Sequence, residues 1–150
     1  MTALEREATI RWLTHPPEGL PRMTVGSGSV SLPLSVDPDA THPLATSPAE
    51  LLAGAIGSIF AWFAARELMD HGTQAHELVV DVTLTVSENL GGVTDLALSR
   101  LACKLLGRVP DVDEERLKAV AKLAMSRCVE TVALRTDRVE VTVEAILEGP

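Results

Sequence analysis

Between Leu51 and Ala65 every residue is apolar or small, and the run includes Leu52, Ile56, Ile59, Phe60, Trp62 and Phe63. Ahead of it stands Ser47-Pro48-Ala49-Glu50, a capping box. The serine hydroxyl can accept from the amide three residues on, the glutamate can reach back, and proline sits where its missing N–H does no harm. The pattern predicts a helix from this cap to Asp70 or His71, stopped by Gly72 in the left-handed conformation. A helix that is apolar on every side has to be covered on every side. A bilayer is the poorer cover, because spanning one takes about 20 predominantly apolar residues and charge arrives at Arg66 and Glu67. A sheet on one flank and a second subunit on the other would serve.

The rest of the chain supplies the sheets. Ala8 to Leu13, Met23 to Val25 and Ser29 to Val36 read as short strands separated by His15-Pro16-Pro17-Glu18-Gly19 and Gly26-Ser27-Gly28, and Asp37 to Thr46 reads as a loop. Val80, Val82, Leu84 and Val86 alternate with Asp81, Thr83, Thr85 and Ser87, the period of a strand with one buried face. Glu88-Asn89-Leu90-Gly91-Gly92 turns the chain, and Val93 to Leu106 returns beside it. Asp111, three residues before Glu114, is expected to open a second helix carrying Leu117, Val120, Ala121, Ala124 and Met125, ending near Cys128. Val139, Val141, Val143, Ala145 and Leu147 make a last strand. The expected fold class is α+β: antiparallel sheets packed on a long buried central helix plus a second helix, in a single domain over residues 1–150.

Composition narrows the partners. The formal net charge is −8, which repels polyphosphate, so nucleic acid is not expected. Aromatic residues are only 3% of the chain, too few for a surface that stacks on bases. No basic stretch followed by an apolar run opens the sequence, so the expected compartment is the cytoplasm, with no membrane partner. Cys103 and Cys128 are too few for a disulfide scaffold and lack the spacing of a structural zinc site.

Two segments carry a resemblance to a known family. Ser47-Pro48-Ala49-Glu50-Leu51-Leu52-Ala53-Gly54-Ala55 opening the buried helix, and Ala124-Met125-Ser126-Arg127-Cys128 before the final strand, resemble the OsmC/Ohr family of thiol-dependent hydroperoxide reductases, and the order of elements agrees over nearly the whole chain. The resemblance implies an intertwined homodimer with the long helices at its centre. It also implies a peroxidase in which one thiolate on the buried helix attacks the peroxide and a second cysteine resolves the sulfenic acid, the first thiol being acidified by an arginine that a glutamate positions. Counted from Pro48, the attacking position falls on Ile59, which cannot reduce a peroxide. The glutamate position falls on Ala49, and Glu50 is already used by the cap. Arg22 is the arginine in the corresponding region. Cys128 matches the second cysteine, although Val129 replaces the proline that usually follows it.

The other constellations read as structure. Asp70, His71, His76 and Glu77 fall across a glycine-containing turn, and no metal or cofactor is expected. His15 and His42 lie in proline-rich loops. Asp111, Asp113, Glu114 and Glu115 suit a helix cap and first turn. Cys103, between Ala102 and Lys104 in a strand pattern, reads as core packing. Gly26-Ser27-Gly28 lacks the residues of a phosphate loop. Three functional expectations follow. The dimer binds a small hydrophobic molecule in an apolar pocket around Ile59, Phe60, Trp62 and Phe63 without redox turnover; or Cys128 with Arg22 makes a weak one-cysteine hydroperoxide reductase; or the dimer is purely structural.

Overall fold

The computed structural model describes residues 8–11, 22–26, 31–34, 45–88 and 96–149. They divide into two compact units, Met1–Leu52 and Ala53–Pro150. In the first, β1 (Ala8–Arg11), β2 (Arg22–Val25) and β3 (Ser31–Pro33) form an antiparallel meander in the order of the chain. Leu34 bridges Thr46 in parallel, with the Thr46 amide donating to the Pro33 carbonyl at 2.9 Å. β2 starts one residue before the predicted run, and positions 12–13, 29–30 and 35–36 of the predicted strands lie outside the described residues.

Helix α1 (Pro48–Asp70) begins as its cap requires. The Ser47 N–H donates to Glu50 Oε2 at 2.7 Å and the Glu50 N–H to Ser47 Oγ at 3.2 Å, and the backbone bond from Ser47 holds the Glu50 carboxyl below its usual acidity range. The helix ends on Gly72 at φ +78°, where the amides of Gly72 and Thr73 bond back to Met69 and Leu68. Left-handed backbone after the last turn is what glycine supplies without strain.

The second unit contains most of α1 and a sheet of β4 (Glu77–Glu88), β5 (Leu96–Arg108) and β6 (Glu140–Leu147), with α2 (Glu114–Thr131) between the last two strands. β4 and β5 form the expected antiparallel hairpin, with a register shift at Thr85/Val86. β6 lies parallel to β5, which corrects the wholly antiparallel expectation. The physical reason is the connection: α2 carries the chain back along the sheet, so the next strand starts at the same end as β5. The start of α2 also differs from expectation. Asp111 takes φ 57°, incompatible with a helix start there, and the cap is Asp113, in extended backbone, whose side chain accepts from the Arg116 N–H at 2.8 Å.

The core follows the two periodicities. Ile56, Phe60, Ala64 and Leu68, four residues apart, make the buried stripe of α1, and they meet Leu101, Cys103 and Leu105 of β5 and Leu117, Val120, Ala124, Met125 and Cys128 of α2. Gly57 is buried against β4: a Cβ there would lie 2.7 Å from Val82 Cγ2, so the helix approaches the sheet closely only because that atom is missing. The expectation of all-round burial fails within one chain. Trp62 is 57% exposed and Met69 64%, because the sheet and α2 of the second unit pack against the Ile56, Phe60, Ala64 and Leu68 side of the helix. By length and composition α1 also suffices to cross a membrane, so length does not exclude that reading as the sequence argument held. What opposes it is the polar content of the helix: Glu50, Ser58, Arg66 and Asp70 on the outside, and Glu67 inside.

Candidate functional site

Cys128 lies on the face of α2 that also buries Leu117, Ala121, Ala124 and Met125, and is 0% exposed. Its Sγ donates to the Ile56 carbonyl at 3.6 Å. A helical carbonyl points toward the residues three and four positions on, so the thiol sits at the turn of α1 that carries Ile59 and Phe60. Burial pushes the Cys128 thiol up from its ordinary value, since removing water disfavours the thiolate. The carbonyl adds to this, because it accepts a bond that only the protonated sulfur can donate.

The arginine next to it does not reverse the effect. Arg127 pairs with Glu67, a carboxylate buried on α1. Ile56 and Glu67 are eleven residues apart, about 16 Å along a helix at 1.5 Å per residue. Consecutive residues of α2 therefore grip α1 at well-separated places, with the guanidinium directed away from the sulfur. Cys103 faces the same core from β5, and its thiol is pushed up to about 11 by burial first and by Cys128 second.

The expected pocket residues are placed differently from one another. Phe60 is 0% exposed and belongs to the core, which corrects its expected place in a pocket: its ring is consumed by packing. Ile59 and Phe63 are partly buried and pack against that core, and Trp62 is exposed, 4.9 Å from the Phe63 ring and 5.6 Å from the Arg66 guanidinium carbon. On the opposite flank from Ile59, α1 and β4 enclose a groove of about 390 Å³ lined by Gly54, Gly57, Ser58, Ala61, Val80 and Val82, among others. The sequence reading missed this groove and the Glu67–Arg127 pair. Small residues at helical spacing and an acid inside an apolar helix were the available signals.

Arg22 lies on β2, exposed, its guanidinium donating to Ser31 Oγ at 3.2 and 3.3 Å and to the Ser31 carbonyl at 3.4 Å. Asp70, His71, His76 and Glu77 are all exposed. Glu77 pairs with Arg108, and the His76 amide donates to the Arg108 carbonyl at 2.9 Å. Among the described residues no three metal-ligating side chains converge. His15, His42 and the Ser27-Gly28 part of the glycine turn lie outside the described residues.

The arrangement of a long helix, a second helix and two three-stranded sheets has counterparts among solved structures. The description "OsmC-like protein" fits residues 40–144. The chain belongs to the OsmC-like family. Its fold is similar to that of an OsmC-like protein from Mycoplasma pneumoniae, at 14% identity, TM-score 0.77, over 99% of this chain and 100% of that one. It is also similar to the organic hydroperoxide resistance protein OhrB of Bacillus subtilis, at 14% identity and TM-score 0.69 over 95% and 98%. A third similar structure is a Vibrio cholerae protein described for organic hydroperoxide resistance, with captopril bound in one of its active sites, at 20% identity and TM-score 0.72 over 95% and 93%. No curated protein sequence matches significantly. This chain carries Cys128 on α2 against α1, and Ile59 stands on the α1 turn beside it.

Proposed function

We propose that this OsmC-like protein is a cytoplasmic homodimer that binds a small hydrophobic molecule beside Ile59 and Phe63 and does not turn over hydroperoxides by the two-cysteine route. The observation that carries the reading is the state of Cys128. A peroxidatic sulfur has to be a thiolate within reach of the peroxide, whereas this one is fully buried, raised in pKa and hydrogen-bonded to a carbonyl. The same facts weigh against the one-cysteine alternative. Ligand binding is supported by the partly buried apolar surface at Ile59 and Phe63 and by the captopril held by the Vibrio cholerae relative. No metal or cofactor enters the proposal.

The test is turnover of an organic hydroperoxide with a dithiol reductant, on the parent and on Cys128→Ser, with sulfenic-acid trapping on both. Neither turnover nor trapping is expected in either protein. Turnover and trapping that disappear in Cys128→Ser would establish a one-cysteine reductase and end this reading.

A further inference from the structure

At one end of the second unit's sheet β4 begins while β5 and β6 finish, with Glu77 opposite Arg108 and Gly107 opposite Leu147. Two amides fix this end: the His76 N–H donates to the Arg108 carbonyl at 2.9 Å and the Glu148 N–H to the Gly107 carbonyl at 2.8 Å. Where the chain leaves β5 for α2 there is a cavity of about 390 Å³, its apolar lining supplied by Val109, Pro110, Val112 and Leu147. A further recess of about 560 Å³, lined in part by the turn after α1, shares His76, Pro110 and Asp111 with it. Small-molecule sites typically take about 300–1,000 Å³, so the room is sufficient.

The charge on this lining is one-sided. Arg108, Asp111 and Glu148 line the cavity and are all exposed. The guanidinium is already answered, since Arg108 pairs with Glu77. Asp111 and Glu148 enter no ion pair among the described residues, which leaves a negative surplus. Asp111 is also held in backbone that does not suit it: its φ is 57°, where glycine alone is free of strain. Asp113, two residues on, spends its carboxylate on the Arg116 N–H. None of the side-chain hydrogen bonds among the described residues uses Asp111, so nothing within the chain offsets that strain.

We propose that this cavity binds a small organic cation, an amine with an apolar body, whose ammonium lies at Asp111 and Glu148 and whose apolar part packs against Val109, Val112 and Leu147. Apolar contact supplies most of the affinity, because exposed charge pairs contribute little each. The carboxylates select the sign of the ligand, and the formal net charge of −8 draws cations toward the protein. The site shares no residue with the surface beside Ile59 and Phe63, and neither reading depends on the other.

Three probes test it: 2-phenylethylamine, 2-phenylethanol and 3-phenylpropionate, which carry the same apolar ring and differ in charge, titrated into the full chain by NMR at neutral pH and low salt. The amine should bind tightest and the carboxylate weakest. Asp111→Asn keeps a residue that tolerates left-handed backbone. It should weaken amine binding roughly two- to fivefold, the range of one exposed charge contact, and leave the alcohol unchanged. Asp111→Gly should weaken the amine as much while melting no lower than the parent, because it removes the strain together with the carboxylate. Glu130→Gln, at an exposed position of α2 outside the cavity lining, changes the net charge equally and should leave all three affinities as they were. Equal affinities for the three probes, tightest binding of the carboxylate, or no binding of the amine up to its solubility limit would each overturn the proposal. So would an Asp111→Asn protein that holds the amine as well as the parent, or an equal loss in Glu130→Gln.

Discussion

Replacing Arg127 by Met tests how α1 and α2 are held together. Glu67 is 5% exposed, so without its partner its charge stays in the protein, whereas the Arg127 side chain is 42% exposed and can reach water when Glu67 is removed. Removing one member of a fully buried pair costs about 3–5 kcal/mol; the exposure of the guanidinium reduces this, and about 2–3 kcal/mol is expected for Arg127→Met. Glu67→Met removes the buried charge at nearly constant volume and should cost within about 1 kcal/mol. The double variant should resemble Glu67→Met, since an apolar pair of similar size restores the seam. Urea denaturation at fixed protein concentration measures all three. With a slope of about 1–3 kcal/mol per molar for a chain of this size, Arg127→Met should lower the midpoint by roughly 0.7–3 M. A Glu67→Met loss exceeding that of Arg127→Met would refute the reasoning, because the buried carboxylate would then not be the costly group.

Ile59→Cys should form an intramolecular disulfide with Cys128 under mild oxidation, detected by mass and by peptide mapping, because the Cys128 sulfur already rests on that turn of α1; two free thiols after oxidation would place the turn out of reach. Helix α2 ends on Ala133 at φ 53°, with the Ala133 and Leu134 amides bonding back to Glu130 and Val129 as at the end of α1, so Ala133→Gly should relieve left-handed strain and stabilise by about 0.5–1 kcal/mol in thermal melts. Stability should fall with rising alkalinity through Cys103. The unfolded thiol ionises near pH 9 while the folded one waits until about 11, so its contribution is whole below the first value and is lost between them, by roughly 2–3 kcal/mol. Cys103→Ala should flatten that alkaline slope in denaturation curves taken across the window.

Much of the fold was legible because it rests on local chemistry. The Ser47/Glu50 box and Gly72 bound α1 at its start and to within one residue at its end, since their hydrogen bonds and backbone angles involve only neighbours. Alternation placed β4 and β6, because a strand with one buried face must repeat every second residue, and the turn residues after β4 placed β5 as its returning partner. The parallel direction of β6 was not legible: alternation is the same in both directions, and only the path of α2 decides it. Nor did an acid before Glu114 distinguish Asp111 from Asp113, as the left-handed turn at Asp111 belongs to the connection and not to the helix.

The site divides along the same line. Its composition is a property of the sequence alone: which residue stands at position 59, which cysteine ends α2, and that α1 has more apolar surface than one chain can cover. Whether Cys128 can act is not, because acidity is set by water and charge within a few ångströms, and those neighbours come from α1, far away in the chain. The tertiary structure set the Cys128 thiol on a carbonyl and aimed its neighbouring arginine at Glu67.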